Sequence, residues 1–240
     1  MRFQEKRFAE DYQKRLVREG YPGGLLPPVI EAVKDTSSLI DAGGGSGFFA
    51  IPIAEMNIQV TLVEPANPML EILRRNLKPE ISSLITLVNQ SWEEWSGEKH
   101  ETLLCAHSLY PMPDPEKAIT KMVLYADKRI VIVRDDLNQH TLGDAIRARF
   151  ASPRKATNFS IIIEATLKNL KVPFIKQKIE QNTAVNFKDI KTEASHYAYF
   201  LKTDAGVEAE IENFLEEICR KKNDGTWFYN SFHSDYIYFF

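Results

Sequence analysis

Apolar residues recur along this chain with two periods, and the places where one gives way to the other set out its elements. Residues 5–19 carry a helical pattern that Tyr21-Pro22-Gly23-Gly24 interrupts, and a second helix is predicted from Pro28 to Lys34. Short β-branched runs then predict strands at 37–41, 58–63, 83–88, 101–106 and 129–134, with helices at 48–56, 67–77 and 114–126 between most of them. Alternation of this kind implies a parallel sheet. The link over 89–100 is short and polar, so the third crossover helix is missing or abbreviated. Past Asp136 the pattern changes to helices at 140–151 and 157–170, a strand at 172–181, and helices near 188–202 and 205–221. The final stretch, Trp227 to Phe240, has strand-forming residues on both sides of a polar centre and predicts a closing hairpin.

The first strand ends in Leu39-Ile40-Asp41-Ala42-Gly43-Gly44-Gly45-Ser46-Gly47. Glycines let the backbone turn sharply and approach a ligand, and the helix that follows offers free N–H groups at its start. Asp41 at the strand tip repels a pyrophosphate and attracts a cation, so the pocket suits a ligand bearing ammonium and sulfonium charges.

Read as D-x-G-x-G-x-G, this run resembles the first motif of the class I S-adenosylmethionine-dependent methyltransferases, and the chain is similar to the small-molecule, methyltransferase type 11 group. A second pattern is present in the same letters. Gly45-Ser46-Gly47-Phe48-Phe49-Ala50 fits the dinucleotide fingerprint G-x-G-x-x-A, with Glu64 roughly 20 residues beyond it. The acid at the strand tip and the polar helical sequence ahead of the first strand favour the methyltransferase. The resemblance implies a Rossmann-like α/β fold: a mostly parallel central sheet, flanking helices and a terminal antiparallel strand. Its cofactor would be S-adenosyl-L-methionine. Residues 1–36 would form an N-terminal helical cover and 37–136 the cofactor-binding core. Residues 137–240 would complete the sheet and carry a helical substrate cap near 188–221, all within one structural domain.

In this frame Asp41, Ala42, Gly43, Gly44, Gly45 and Gly47 line the cofactor, and Glu64, followed by Pro65, accepts hydrogen bonds from the ribose hydroxyls. Met69 lies along the adenine or packs in the core. Gln90 and Ser91 stand where the family usually has an acid for the adenine amino group, and Trp92 packs on the purine or anchors a loop with Trp95. His107 ends the fourth strand and is the candidate general base, or it lines the methionine end of the cofactor. Tyr110 and Asp135 are candidate substrate contacts. The segment Phe8-Ala9-Glu10-Asp11-Tyr12 resembles the one whose tyrosine covers the cofactor, making Tyr12 and Tyr21 candidate lids over a sulfonium. Asp135-Asp136 with His107 occupy the places of oxygen ligands in metal-dependent O-methyltransferases, but the first usual ligand is an acid, and no metal is expected.

Composition narrows the partners. With 240 residues, 44% hydrophobic and 26% charged, the chain can bury a full core, and its net charge of −3 leaves no global footprint for nucleic acid. Arg147, Arg149, Arg154, Lys155, Lys168 and Lys171 are interspersed with Asp144 and Glu164, as on a solvated helix face. No run matches a membrane span and the start lacks the apolar core of a signal peptide, so a cytoplasmic protein is expected. Cys105 and Cys219 are too few for a metal cage. The expected partner is a small-molecule substrate, with no nucleic acid or membrane. Two alternatives stay open: a non-catalytic S-adenosylmethionine-binding or scaffold protein, and an NAD(P)-dependent oxidoreductase.

Overall fold

The computed structural model describes residues 2–134, 140–151, 157–202 and 206–240. In chain order its elements are α1 (Lys6–Arg18), α2 (Leu26–Val33), β1 (Ser38–Ala42), α3 (Ala50–Ala54), β2 (Gln59–Val63), α4 (Asn67–Asn76) and β3 (Ile85–Val88). There follow β4 (His100–Ala106), α5 (Pro115–Tyr125), β5 (Ala126–Val133), α6 (Leu142–Phe150) and α7 (Phe159–Asn169). The chain closes with β6 (Ile175–Phe187), α8 (Ile190–Leu201), α9 (Val207–Ile218), β7 (Arg220–Lys221) and β8 (Trp227–Phe239). The strands form one sheet in the order β3-β2-β1-β4-β5-β8-β6, with β7 beside β8. From β3 to β5 every pairing is parallel, and β8 runs antiparallel to both β5 and β6. This is the parallel sheet that the alternating pattern predicts, in the Rossmann-like form that the resemblance implies.

Parallel strands are buried on both faces, so alternate residues feed two cores. Leu39, Leu62, Leu104, Ile130 and Ile132 pack with Val29, Val33 and Ile53 on one face. Ile40, Val63, Leu103, Cys105, Val131 and Val133 pack with Ile119, Met122, Ile163 and Leu167 on the other. No helix joins β3 to β4. The space on that face is filled instead by Trp92 and Trp95, stacked with ring centroids 5.5 Å apart, and by Tyr125. Large apolar side chains from a short link thus replace the packing surface of a crossover helix.

The predicted closing hairpin within 227–240 is corrected by the structure. Trp227–Phe239 is one unbroken strand, paired along its whole length from Phe187↔Trp227 to Ile175↔Phe239. Ser231, His233 and Asp235 are not a turn; they are the buried members of the β alternation. Only Tyr236–Phe239 pair with β5, so the β6/β8 ribbon continues beyond the sheet's carboxyl edge for roughly 30 Å at ~3.3 Å per residue. β6 is correspondingly longer than predicted, ending at Phe187.

The helical insertion sits at the tip of this ribbon. Ile190, Ala194, Tyr197, Ile211 and Leu215 of α8 and α9 form a separate apolar cluster with Leu142 and Ile146 of α6 and Val185 and Phe187 of β6. The outer side of α8 meets α1. Arg18 grips the Glu193 carboxylate with two hydrogen bonds of 2.7 and 2.8 Å, and the rings of Phe8 and Phe200 stack at 4.6 Å. The N-terminal helix and the insertion therefore close on each other beyond the carboxyl ends of the strands.

The turn after β1 is sterically fixed. Gly43 has φ +76, and a Cβ there would lie 2.3 Å from the Cβ of Ser108, whereas Gly20, at φ +72, has open space around it. Both positions disfavour a side chain by backbone conformation, but only Gly43 adds a collision. Gly43→Ala should therefore cost about 2 kcal/mol or more, and Gly20→Ala only about 1 kcal/mol. Chemical denaturation of both variants checks this; equal losses would show that the contact with Ser108 does not constrain the turn.

Candidate functional site

The strand tips β2, β1, β4, β5, β8 and β6 bring a row of polar side chains to the carboxyl edge, the location where open α/β sheets hold ligands. Asp41 is 2% exposed, and among the described residues no hydrogen bond reaches its carboxylate. Burial and the neighbouring Glu64 push its pKa up to about 7. Glu64 is also buried, and its carboxyl is raised by burial although it accepts hydrogen bonds from the N–H of Gly45 at 3.1 Å and of Ala66 at 2.8 Å. Those two bonds tie the glycine turn to the start of α4. A Cβ on Gly44 would meet the Asp41 carboxylate at 2.6 Å, so the turn lies directly against that acid. The Ala42 carbonyl accepts a hydrogen bond from the Ser108 hydroxyl. Gly47 at φ +84 abuts Leu73 of α4.

The tyrosines close over this region. Tyr21 lies 5.9 Å from His107 and within electrostatic reach of Asp41, Asp235, Tyr110 and Tyr12. Tyr12 is held by Phe3 at 5.0 Å and lies within reach of both Glu64 and Arg134. α1 is fastened over the turn by Gln13, which accepts a hydrogen bond from Ser46, and by Gln4, which donates to the Pro65 carbonyl at 2.8 Å. Met69 is 4% exposed, packs with Ala9, Ala66 and Ile72, and presents its methyl group toward Gly45.

The third strand's end supplies less than predicted. Gln90 is exposed, and Ser91 turns away to donate to Glu94 at 2.8 Å. Of the two roles expected of Trp92, the structure shows the one that anchors the loop with Trp95: it is 2% exposed, stacked on Trp95, and donates to the Ala118 carbonyl at 3.3 Å. The space left by the missing crossover helix claims its ring. Asn89 points into the edge instead, donating to the carbonyls of Glu64 and Pro65 at 3.0 Å each.

At the other end of the row stands a cluster that sequence reasoning missed apart from His107 and Tyr110. Asp235 of β8, with no exposed surface, receives Nε of Arg134 at 2.8 Å on Oδ1 and Nη2 at 3.2 Å on Oδ2. Gln181 of β6 donates to Oδ2 at 2.7 Å, and Nε2 of His233 faces that oxygen at 3.5 Å. Burial opposes ionisation of Asp235, but His233, His107 and Arg134 outweigh it and hold the carboxyl well below its usual range. The only local signal was an i, i+2 alternation of polar residues, Ser231, His233 and Asp235, in a strand-forming segment.

His107 stands at the end of β4 with the left-handed φ of +54, unusual for a residue other than glycine. Burial lowers its pKa to about 4, so the ring is neutral near pH 7. The Tyr110 hydroxyl accepts the backbone N–H of Arg134 and shares a hydrogen bond of 2.9 Å with Nδ1 of His107. Nδ1 of His107 is thus engaged by Tyr110, while its Nε2 is buried and has no hydrogen-bond partner among the described residues. Cys105 is fully buried and its thiol is pushed up to about 12, which suits packing and not nucleophilic attack. Asp135, Asp136, Arg154 and Lys155 lie outside the described residues. Among the described residues, no group of His, Cys, Asp and Glu is arranged to hold a metal ion, and no helix is long and apolar enough to cross a membrane.

A mostly parallel sheet with an antiparallel strand before its last edge is a Rossmann-like fold, and an acid and a glycine turn stand at the tip of its first strand. Residues 40–125 match the family model of a methyltransferase domain. The fold is shared with the YcgJ protein of Bacillus subtilis at a TM-score of 0.58 and 13% identity, covering 89% of this chain and 96% of that one. It is shared as well with a candidate methyltransferase of Bacillus halodurans, at a TM-score of 0.59 and 11% identity over 90% and 98% of the two chains. A candidate methyltransferase from an antibiotic biosynthesis pathway of Anabaena variabilis aligns with a TM-score of 0.60 and 13% identity over 89% and 97%. Comparison with curated protein sequences gives no match.

The raised pKa of Asp41 has a signed consequence. Between the ordinary carboxyl value of 3.8 and about 7, the folded protein holds a proton that the unfolded chain has released, so stability falls as pH rises through that window. Asp41→Asn removes the titrating proton and should stabilise the protein above pH 7 relative to pH 4, by an amount on the order of 2–4 kcal/mol. Denaturation midpoints of both proteins across this range check the prediction. Parallel pH profiles would mean that Asp41 is ionised in the free protein.

Proposed function

We propose that this protein transfers a methyl group from S-adenosylmethionine to a small-molecule acceptor. The observation that carries the reading is Asp41, a buried carboxylate that receives no hydrogen bond among the described residues and lies against a glycine turn. A carboxylate so placed is stabilised by a cation that brings N–H groups, and it repels the phosphates of a dinucleotide. Glu64 accepts two backbone N–H groups and retains lone pairs for a pair of hydroxyls. These two acceptors fit the ammonium group and the ribose hydroxyls of S-adenosylmethionine. When bound, that cofactor supplies a methyl group on a sulfonium, which departs as a neutral thioether.

The chain's own contribution is alignment and exclusion of water. Asp41 and Glu64 fix the two polar parts of the cofactor. Tyr12 and Tyr21 place phenol rings over the edge, where a ring face attracts a sulfonium by about 1 kcal/mol. The clasp between α1 and α8 covers the carboxyl side of the sheet, which favours a small acceptor over a macromolecule. A net charge of −3 supports the same choice.

S-adenosylhomocysteine should raise the melting temperature, since a ligand at about 100 times its dissociation constant adds ~2.7 kcal/mol to the folded state. NAD should leave it unchanged. Stabilisation by NAD alone would exclude the methyltransferase reading. Glu64→Gln preserves the shape of the side chain but removes its charge, and should weaken S-adenosylhomocysteine by about 1–2 kcal/mol in calorimetry.

A further inference from the structure

The cluster around Asp235 leaves two imidazole nitrogens in complementary states. A carboxylate only accepts, so the His233 nitrogen that faces it at 3.5 Å, Nε2, carries a hydrogen, and in the neutral form of the ring Nδ1 is a bare lone pair. That Nδ1 is buried and has no hydrogen-bond partner among the described residues. His107 is the converse. Its Nε2, likewise buried and without a hydrogen-bond partner among the described residues, faces Oδ1 of Asp235 at 3.8 Å; the negative carboxylate favours the hydrogen on that nitrogen, which leaves the Nδ1 lone pair to accept from the Tyr110 hydroxyl. Buried polar groups that serve packing alone are normally paired. Here one acceptor and one donor flank the same carboxylate, at the strand ends where a methyl acceptor would lie.

We propose that His233 and His107 form the acceptor-binding end of the site and select a hydroxyl group, His107 Nε2–H holding its oxygen and His233 Nδ1 taking its proton. This rests on the methyl-transfer reading above. A hydroxyl both accepts and donates, as the two nitrogens require. A carboxylate has no proton to give at neutral pH, and the Arg134 charge beside the cluster is already paired with Asp235. In the transfer, a lone pair of the hydroxyl oxygen forms the new bond to the methyl carbon, and the carbon–sulfur bond of the sulfonium donor breaks with its electrons passing to sulfur. The O–H bond breaks as its proton moves to Nδ1 of His233. The resulting imidazolium faces the Asp235 carboxylate, which makes Asp235 the positioning residue.

The test uses the full chain with isotope-labelled histidine, read by long-range nitrogen NMR near neutral pH, with His233→Gln and His107→Gln assigning the signals. In the free protein both rings should show the Nε2–H form. With S-adenosylhomocysteine bound, phenol should move the Nδ1 signal of His233 upfield, the shift of a nitrogen that accepts a hydrogen bond. Anisole, the same ring with its oxygen already methylated, should not. His233→Gln should retain S-adenosylhomocysteine affinity and lose the distinction between the two rings. Asp235→Asn should redistribute the His233 proton between its nitrogens, an effect that a purely structural role for Asp235 does not predict. A hydrogen on Nδ1 of His233 overturns the proposal, as does an equal response to phenol and anisole, or none to phenol. If wild-type protein fails to bind S-adenosylhomocysteine, the cofactor reading falls instead, and the ring forms in the free protein still decide the state of the two histidines. Should a histidine or aspartate variant not fold, the wild-type comparison of phenol with anisole decides by itself.

Discussion

The pairing of Arg134 with Asp235 is the interaction on which the carboxyl edge depends. It joins the tip of β5 to β8 at the point where β8 leaves the sheet, and Gln181 extends the same junction to β6. A buried ion pair is a poor source of net stability, because desolvation offsets much of its attraction. Removing one partner is costly all the same, since the other charge is left buried and alone. The pair therefore specifies one arrangement of the ribbon and fixes where its side chains fall.

From that junction the electrostatics of the edge divide in two. Asp235 carries its counter-charge with it and is held ionised. Among the described residues no such cation reaches Asp41 or Glu64, and burial pushes both toward the neutral form. One end of the row is thus complete in itself, while the other gains from a positively charged ligand. The phenols of Tyr12, Tyr21 and Tyr110 lie between the two ends, and His107 connects them through Tyr110 and Asp235.

The outer architecture follows from the length of the ribbon. Because β6 and β8 pair beyond the last residue of β5, their tip stands clear of the sheet, and its apolar residues need a cover of their own. α6, α8 and α9 provide it, and α8 in turn reaches α1. Cover and core are linked at both ends of the chain, which brings residues nearly two hundred positions apart into contact, as Arg2 does with Phe200.

What the chain determined locally could be read locally. The strands and helices from β1 to β5, the turn after Asp41 and the acid at the end of β2 each rest on a few adjacent residues whose chemistry requires that geometry. The missing crossover helix was visible too, as a polar link. The rest depended on partners distant in sequence. Trp92 became a core residue because the gap beside α5 had to be filled, and the polar link by itself does not say whether that ring turns to the gap or to a ligand. Ser231-Phe232-His233-Ser234 looks like a turn because polar residues interrupt an apolar run. Only pairing with β6 shows that the strand continues and that its polar residues face inward. Alternation records which positions share a face of a strand, and it cannot tell a solvated face from a buried polar site. That distinction belongs to the tertiary structure, where Arg134 and Gln181 supply the hydrogen bonds that let Asp235 stay charged out of water.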